Sequence, residues 1–190
     1  MIDTKDFKKI EVKLASYDSQ REHLIKKARD VLKLSKQLIY AAHRGDKKEA
    51  SELYQQAQNE KKALDKIASA DPKLYYEGSY SQAIQEYVEA LAYHDFSTAG
   101  KIPTVAALKV DEEDYLSGIA DLTGELTRKA VTVANKEPKE VERIKDVVEE
   151  IFGQFLKFNL RNGDLRKKAD QIKWNLKKLE ELEYDVNKVR

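Results

Sequence analysis

Glu86 and Glu89 stand three residues apart in the apolar run SQAIQEYVEALAYHDF, residues 81–96. A carboxyl group on an apolar helix face needs a proton, a partner or a cation, because burying the bare charge is costly. On a helix, Gln82, Glu86, Glu89 and Tyr93 share one polar line beside the apolar line of Ile84, Val88 and Leu91. A second polar stripe follows, made of Asp114, Ser117, Asp121, Glu125 and Arg128, next to Leu116, Ile119, Leu122 and Leu126. Gly118 and Gly124 lie near it, where the missing Cβ lets another backbone or a ligand approach closely.

If the two stripes face each other, Glu86, Glu89, Asp121 and Glu125 converge. Such a cluster repels itself unless it takes up protons or cations. Hard oxygen ligands suit Mg²⁺ or Mn²⁺, ions that beside a phosphate activate water and neutralise the leaving oxygen. The same spacing also describes a solvated acidic face, as Glu180 and Glu183 do elsewhere. A di-iron bundle would require Glu-x-x-His, but Ala92 stands three residues after Glu89. His23, His43 and His94 are scattered and read as surface or capping residues. Neither a glycine-rich phosphate loop nor a nucleophile motif is present. The ten tyrosines could stack on bases, although packing in the core or at interfaces accounts for most of them.

The elements that must position these groups are helices. Only seven Gly and three Pro interrupt 190 residues. Apolar residues recur at spacings of three and four through Phe7, Ile10, Leu14, Leu24, Ile25, Ala28, Leu32, Ile39 and Ala42, predicting a long first helix that ends near Gly45. Asp46 caps a second helix to about Ser69, and Pro72 breaks the chain at Asp71. A third helix runs from about Ser79 to Phe96. A linker follows, with a short turn near Val105. The fourth helix begins at Asp111 and runs to about Asn135. Pro138 opens a fifth, to about Phe158, and a last helix spans Asp164 to Val189. The reading is an all-α bundle of six to seven helices, forming one domain over residues 1–190.

Charged residues make up 36% of the chain and hydrophobic ones 41%. Together these favour long amphipathic helices over disorder. With no cysteine, disulfide and thiolate chemistry are excluded. No membrane partner is expected, since no apolar run approaches the roughly 20 residues that span a bilayer. The expected setting is cytoplasmic. The net charge of +1 conceals basic ends around an acidic middle. Residues 1–48 hold 13 Lys and Arg against 7 Asp and Glu, residues 76–125 hold 2 against 10, and residues 157–178 hold 8 against 2. Such a pattern suits a cation site beside a phosphate-binding surface, or mutual neutralisation between packed helices.

The segments QEYVEALAYHDF and DEEDYLSGIADLTGELTRKAV resemble the central helices of the translin/Trax family, the Trax branch in particular. REHLIKKARDVLKLSKQLIYAAHR is similar to the first helix of that branch, and GQFLKFNLRNGDLRKKADQIKWNLKKLEELEYDV to the family's C-terminal helices. The resemblance covers nearly the whole chain. It implies a translin-like helical fold that self-associates into a closed homo-oligomeric shell, an octamer. It further implies binding of single-stranded RNA or DNA, and Mg²⁺- or Mn²⁺-dependent endoribonuclease activity. Carried over, Glu86, Glu89 and Asp121 become the catalytic metal ligands, with Glu125 as a fourth. The segment YYEGSYSQAI lacks the family's basic, histidine-bearing motif, so RNA contacts are expected from Arg21, Arg29, Lys33, Lys36 and Arg44 on the first helix. The short linker over residues 97–111 and the lack of a nuclear-type tail suit a compact archaeal form with binding and catalysis in one chain. Two other readings remain open. One is a non-catalytic single-stranded RNA- or DNA-binding protein, and the other a structural helical protein that binds no nucleic acid.

Overall fold

The computed structural model describes residues 2–188. Among these residues seven α-helices run in order: α1 (Thr4–His43), α2 (Lys47–Ala68), α3 (Gly78–Ala99), α4 (Val105–Leu108), α5 (Glu112–Val133), α6 (Pro138–Phe155) and α7 (Asp164–Lys188). A 3₁₀ turn, Pro72–Tyr76, joins α2 to α3. No strand occurs among the described residues. The end expected for the last helix, Val189, lies outside them.

Local chemistry sets the helix boundaries. The carboxylates of Asp3, Asp46 and Asp111 accept backbone N–H bonds at the starts of α1, α2 and α5, satisfying donors that have no partner within the helix. Pro138 sits in the first turn of α6. Gly100 ends α3 at φ +68°, where its N–H reaches the Phe96 carbonyl. This left-handed conformation costs glycine little.

α3 lies at the centre of the bundle. It packs on α1 and α5, and through its edge on α2, while α5 packs on α6 and α7. Buried residues occur on nearly every side of α3, from Tyr80 and Ala83 to Tyr93 and Phe96. A helix surrounded in this way leaves Glu89 little route to solvent, at 9% exposed, while Glu86 is half-buried. Gly118 brings α5 against α3. A methyl group there would lie 2.6 Å from both the Gln85 carbonyl oxygen and Val88 Cβ.

One expectation needs correction. The first helix carries a core face only over its second half, through Leu24, Ala28, Val31, Leu38 and Ile39. Phe7, Ile10 and Leu14 are 59, 47 and 58% exposed. At about 1.5 Å per residue, α1 is longer than the helices beside it, so its first turns project past them.

A carboxylate cleft with basic walls

The structure brings the four predicted carboxylates to the α3–α5 seam and distributes them over two adjoining clefts. The first, of about 570 Å³, is lined by Glu86, Glu89, Asp121, Lys167, Lys168 and Asn175, among others. The second, of about 310 Å³, is lined by Lys36, Tyr40, Glu86, Glu89, Glu125 and Arg128, together with Ile39. Glu86 and Glu89 belong to both. Asp121 opens only to the first and Glu125 only to the second.

Three of the four carboxylates are held by cations or donors. Lys36, on α1, stands 3.5 Å from Glu86. Lys168, on α7, pairs with Asp121. His43 bonds to Glu125, and Arg128 lies 3.5 Å from the same carboxylate. Glu89 makes no ion pair among the described residues. Its carboxyl is pushed up to about 8, chiefly by burial and then by the charges of Asp121, Glu86 and Glu125. Burial also raises Glu86, against the pull of Lys36. Glu125 moves the other way, held low first by its hydrogen bond to His43.

The donor set therefore fits a hard divalent cation in chemistry: four carboxyl groups, one of them buried without a counter-charge. Their present directions do not converge. Among the described residues, no group of three or more His, Asp and Glu side chains is arranged to hold a metal ion. Glu86, Asp121 and Glu125 are each engaged by Lys36, Lys168 or His43, and a bound ion would have to compete with these partners.

The predicted basic residues separate into two kinds. Arg29, Lys33, Lys36 and Arg44 are exposed along one side of α1, and Lys36 leads directly into the cleft. The Arg44 guanidinium lies 4.8 Å from the Tyr40 ring centroid, and Arg44 also pairs with Glu49. Arg21 lies apart from the cleft. Its Nε donates to Glu77 at 2.9 Å, and the Tyr17 hydroxyl donates to the same carboxylate at 2.6 Å. This arrangement ties α1 to the start of α3.

Sequence reasoning missed two participants. His43 is neither a surface residue nor a cap, since its side chain is only 10% exposed. Its Nδ1 lies 2.9 Å from the Tyr93 hydroxyl and its Nε2 faces Glu125. A carboxylate only accepts, so the consistent neutral form has Nε2–H donating to Glu125 and Nδ1 accepting from Tyr93. Lys168 arrives from a helix 47 residues downstream of Asp121, a pairing that no spacing within either helix discloses.

Comparison with known proteins bears on this arrangement. The Translin family model matches residues 19–190. An uncharacterized protein of Methanocaldococcus jannaschii is 31% identical over 162 residues, covering 83% of this chain and 72% of that protein. Translin of Gallus gallus is 40% identical over 79 residues, covering 41% of this chain and 34% of its own length. Among solved structures, apo-NeC3PO superposes with a TM-score of 0.87 at 28% identity, covering 98% of both chains. AfC3PO in complex with duplex RNA gives 0.84 at 25% identity, covering 97% of this chain and 98% of that one.

Proposed function

Since the chain belongs to the translin family, we propose that it is a metal-dependent endoribonuclease that cleaves RNA at the α3–α5 cleft, with single-stranded or unpaired segments as substrate. The observation that carries this reading is Glu89, a buried carboxyl flanked by three others and lacking a counter-charge of its own. An acidic cluster of this kind is not needed to bind a polyanion. RNA as the ligand is supported by the duplex-RNA complex of a structural relative and by the exposed Arg29, Lys33 and Lys36 beside the cleft. Preference for single strands is the finer part of the proposal.

Glu86, Glu89, Asp121 and Glu125 would hold one or two Mg²⁺ or Mn²⁺ ions, which when bound lower the pKa of water and neutralise charge on the phosphate. To act as a ligand Glu89 would have to give up its proton, because ligating carboxyls must be ionised. Lys36 and Arg128 border the same cleft and attract the phosphodiester by charge, with little base readout. The net reaction adds water oxygen to phosphorus and breaks one P–O bond, leaving a phosphomonoester and a hydroxyl end. Self-association into a homo-oligomeric shell, an octamer, would surround these clefts. The exposed Phe7, Ile10 and Leu14 give α1 an apolar face for such contacts. Light scattering tests this, and a particle near the chain mass of 21.9 kDa would count against it.

A rival reading is favoured by the pairing of three carboxylates with Lys36, Lys168 and His43, which leaves no metal-ready group among the described residues. On that reading the protein binds single-stranded RNA or DNA without cutting it. Cleavage of a labelled single-stranded RNA with Mg²⁺, with EDTA, and by Glu89→Ala separates the two. The enzyme reading expects cleavage only for the unaltered protein with Mg²⁺. Salt-sensitive binding without metal-dependent turnover would establish the rival, and cleavage indifferent to both EDTA and the substitution would remove the metal mechanism. A duplex of the same sequence tests strand preference.

A further inference from the structure

We propose that Lys168 is a phosphate-contacting residue of the cleft and that Gln85 is the positioning residue that holds its ammonium there. This rests on the endoribonuclease reading above and adds a basic group that the carboxylate motifs do not contain. Lys168 Nζ pairs with Asp121 and donates to Gln85 Oε1 at 2.9 Å. At the other end of the same amide, Gln85 Nε2 donates to Ser81 Oγ and Asp114 Oδ1, each at 2.9 Å. Ser81 in turn bonds to Asp114, which is 8% exposed. The Asp114 carboxylate only accepts, so it fixes which end of the amide is nitrogen and turns the Gln85 oxygen toward Lys168.

Neutralising Asp121 requires no second, neutral acceptor anchored by two further residues. That anchor matters if Asp121 is to be given up. An ammonium has three donors. Asp121 and Gln85 accept two, and the Lys168 side chain remains 28% exposed in the cleft. Were Asp121 to serve as a cation ligand, Gln85 would keep the ammonium in place and two donors would be available to the non-bridging oxygens of the RNA phosphate. Charge-assisted hydrogen bonds to phosphate are among the stronger polar contacts, and they gain strength as negative charge builds on those oxygens during attack.

The test compares Lys168→Met, Lys168→Arg and Gln85→Leu with the unaltered protein in three measurements. Mn²⁺ binding is followed by electron paramagnetic resonance, affinity for a fluorescein-labelled oligouridylate by anisotropy with Ca²⁺ replacing Mg²⁺, and cleavage under single-turnover conditions. Lys168→Met is expected to bind Mn²⁺ at least as tightly as the unaltered protein, since a competing cation is gone. It should bind the oligouridylate more weakly and cleave about 100-fold more slowly, the scale of losing one donor to a developing oxyanion. Lys168→Arg should recover most of the loss. Gln85→Leu should change rate and affinity in the same direction as Lys168→Met, with Mn²⁺ binding intact. Unchanged RNA affinity and cleavage in Lys168→Met, or a loss of rate matched by lost Mn²⁺ binding, would overturn the proposal and leave Lys168 a counter-ion. If the unaltered protein binds but does not cleave, the endoribonuclease reading fails separately, and the anisotropy measurement alone then decides the phosphate contact.

Discussion

Gly118 and Val88 meet where α5 crosses α3, so closely that a methyl group on Gly118 would stand 2.6 Å from Val88 Cβ. A Cβ does not approach a non-bonded atom to that distance, and a backbone carbonyl lies equally near. Gly118→Ala must therefore push the two helices apart. An overpacking cost of about 1–3 kcal/mol is expected, read as a lower denaturant midpoint. The same displacement separates Glu86 and Glu89 from Asp121, so cleavage should fall further than stability explains. Gly153→Ala is the control. That glycine is helical and exposed, with nothing near its missing Cβ, and the change should stabilise by about 0.5–1 kcal/mol.

Glu89 makes stability depend on pH in a direction opposite to most carboxyl groups. Its ordinary value is 4.5, and in the fold it rises to about 8. Between these values the folded protein keeps a proton that the unfolded chain has lost. Stability contributed by this group therefore declines as pH rises from about 4.5 to about 8, by at most ~1.4 kcal/mol per unit. Melting in EDTA across this range should show a decline that Glu89→Gln removes. Mg²⁺ at the alkaline end should raise the melting temperature of the unaltered protein more than that of Glu89→Gln. An identical pH slope in both would contradict the burial argument.

Arg21 and the pair Arg29 and Lys33 should respond differently, although all three are cations of α1. Arg21 is committed to Glu77, together with Tyr17. Arg21→Ala should lower thermal stability and leave RNA affinity nearly unchanged. Arg29→Ala and Lys33→Ala should leave stability nearly unchanged and weaken binding of single-stranded RNA. Each lost phosphate contact should reduce the salt slope of the binding constant by about 0.7. Anisotropy titrations at several salt concentrations measure this directly.

These cases show where the sequence is informative. Spacings of three and four place Glu86 with Glu89, and Asp121 with Glu125, on helix faces, because helical geometry alone determines that. Aspartates before helical runs mark the starts of α2 and α5 through capping, an equally local effect. Phe7, Ile10 and Leu14 defeat the reading, since the spacing is the same whether a stripe faces a core or projects beyond it. The partners of the carboxylates defeat it too. Lys168 and His43 reach Asp121 and Glu125 only through the packing of α7 and α1 on α5 and α3, and no local pattern in the chain encodes a contact 47 or 82 residues away.

His43 supplies the remaining prediction, because it joins a buried hydroxyl and a half-buried carboxylate that have opposite needs. Tyr93, 1% exposed, gives its hydroxyl proton to the ring, and the ring gives one to Glu125. His43→Ala takes the ring from both and leaves Glu125 only Arg128, 3.5 Å away, at an expected cost of about 1–3 kcal/mol. The cost should vary with pH. The His43 hydrogen bond holds the folded Glu125 carboxyl below its ordinary 4.5. The stability it contributes is therefore present above about 4.5 and lost as acid protonates the folded form. Unfolding free energies of the unaltered protein and His43→Ala should differ most near neutrality and draw together in acid. Tyr93→Phe removes only the upper half of the chain of bonds and should keep the acid-dependent part. A His43→Ala cost that does not diminish in acid would mean that the ring serves packing alone.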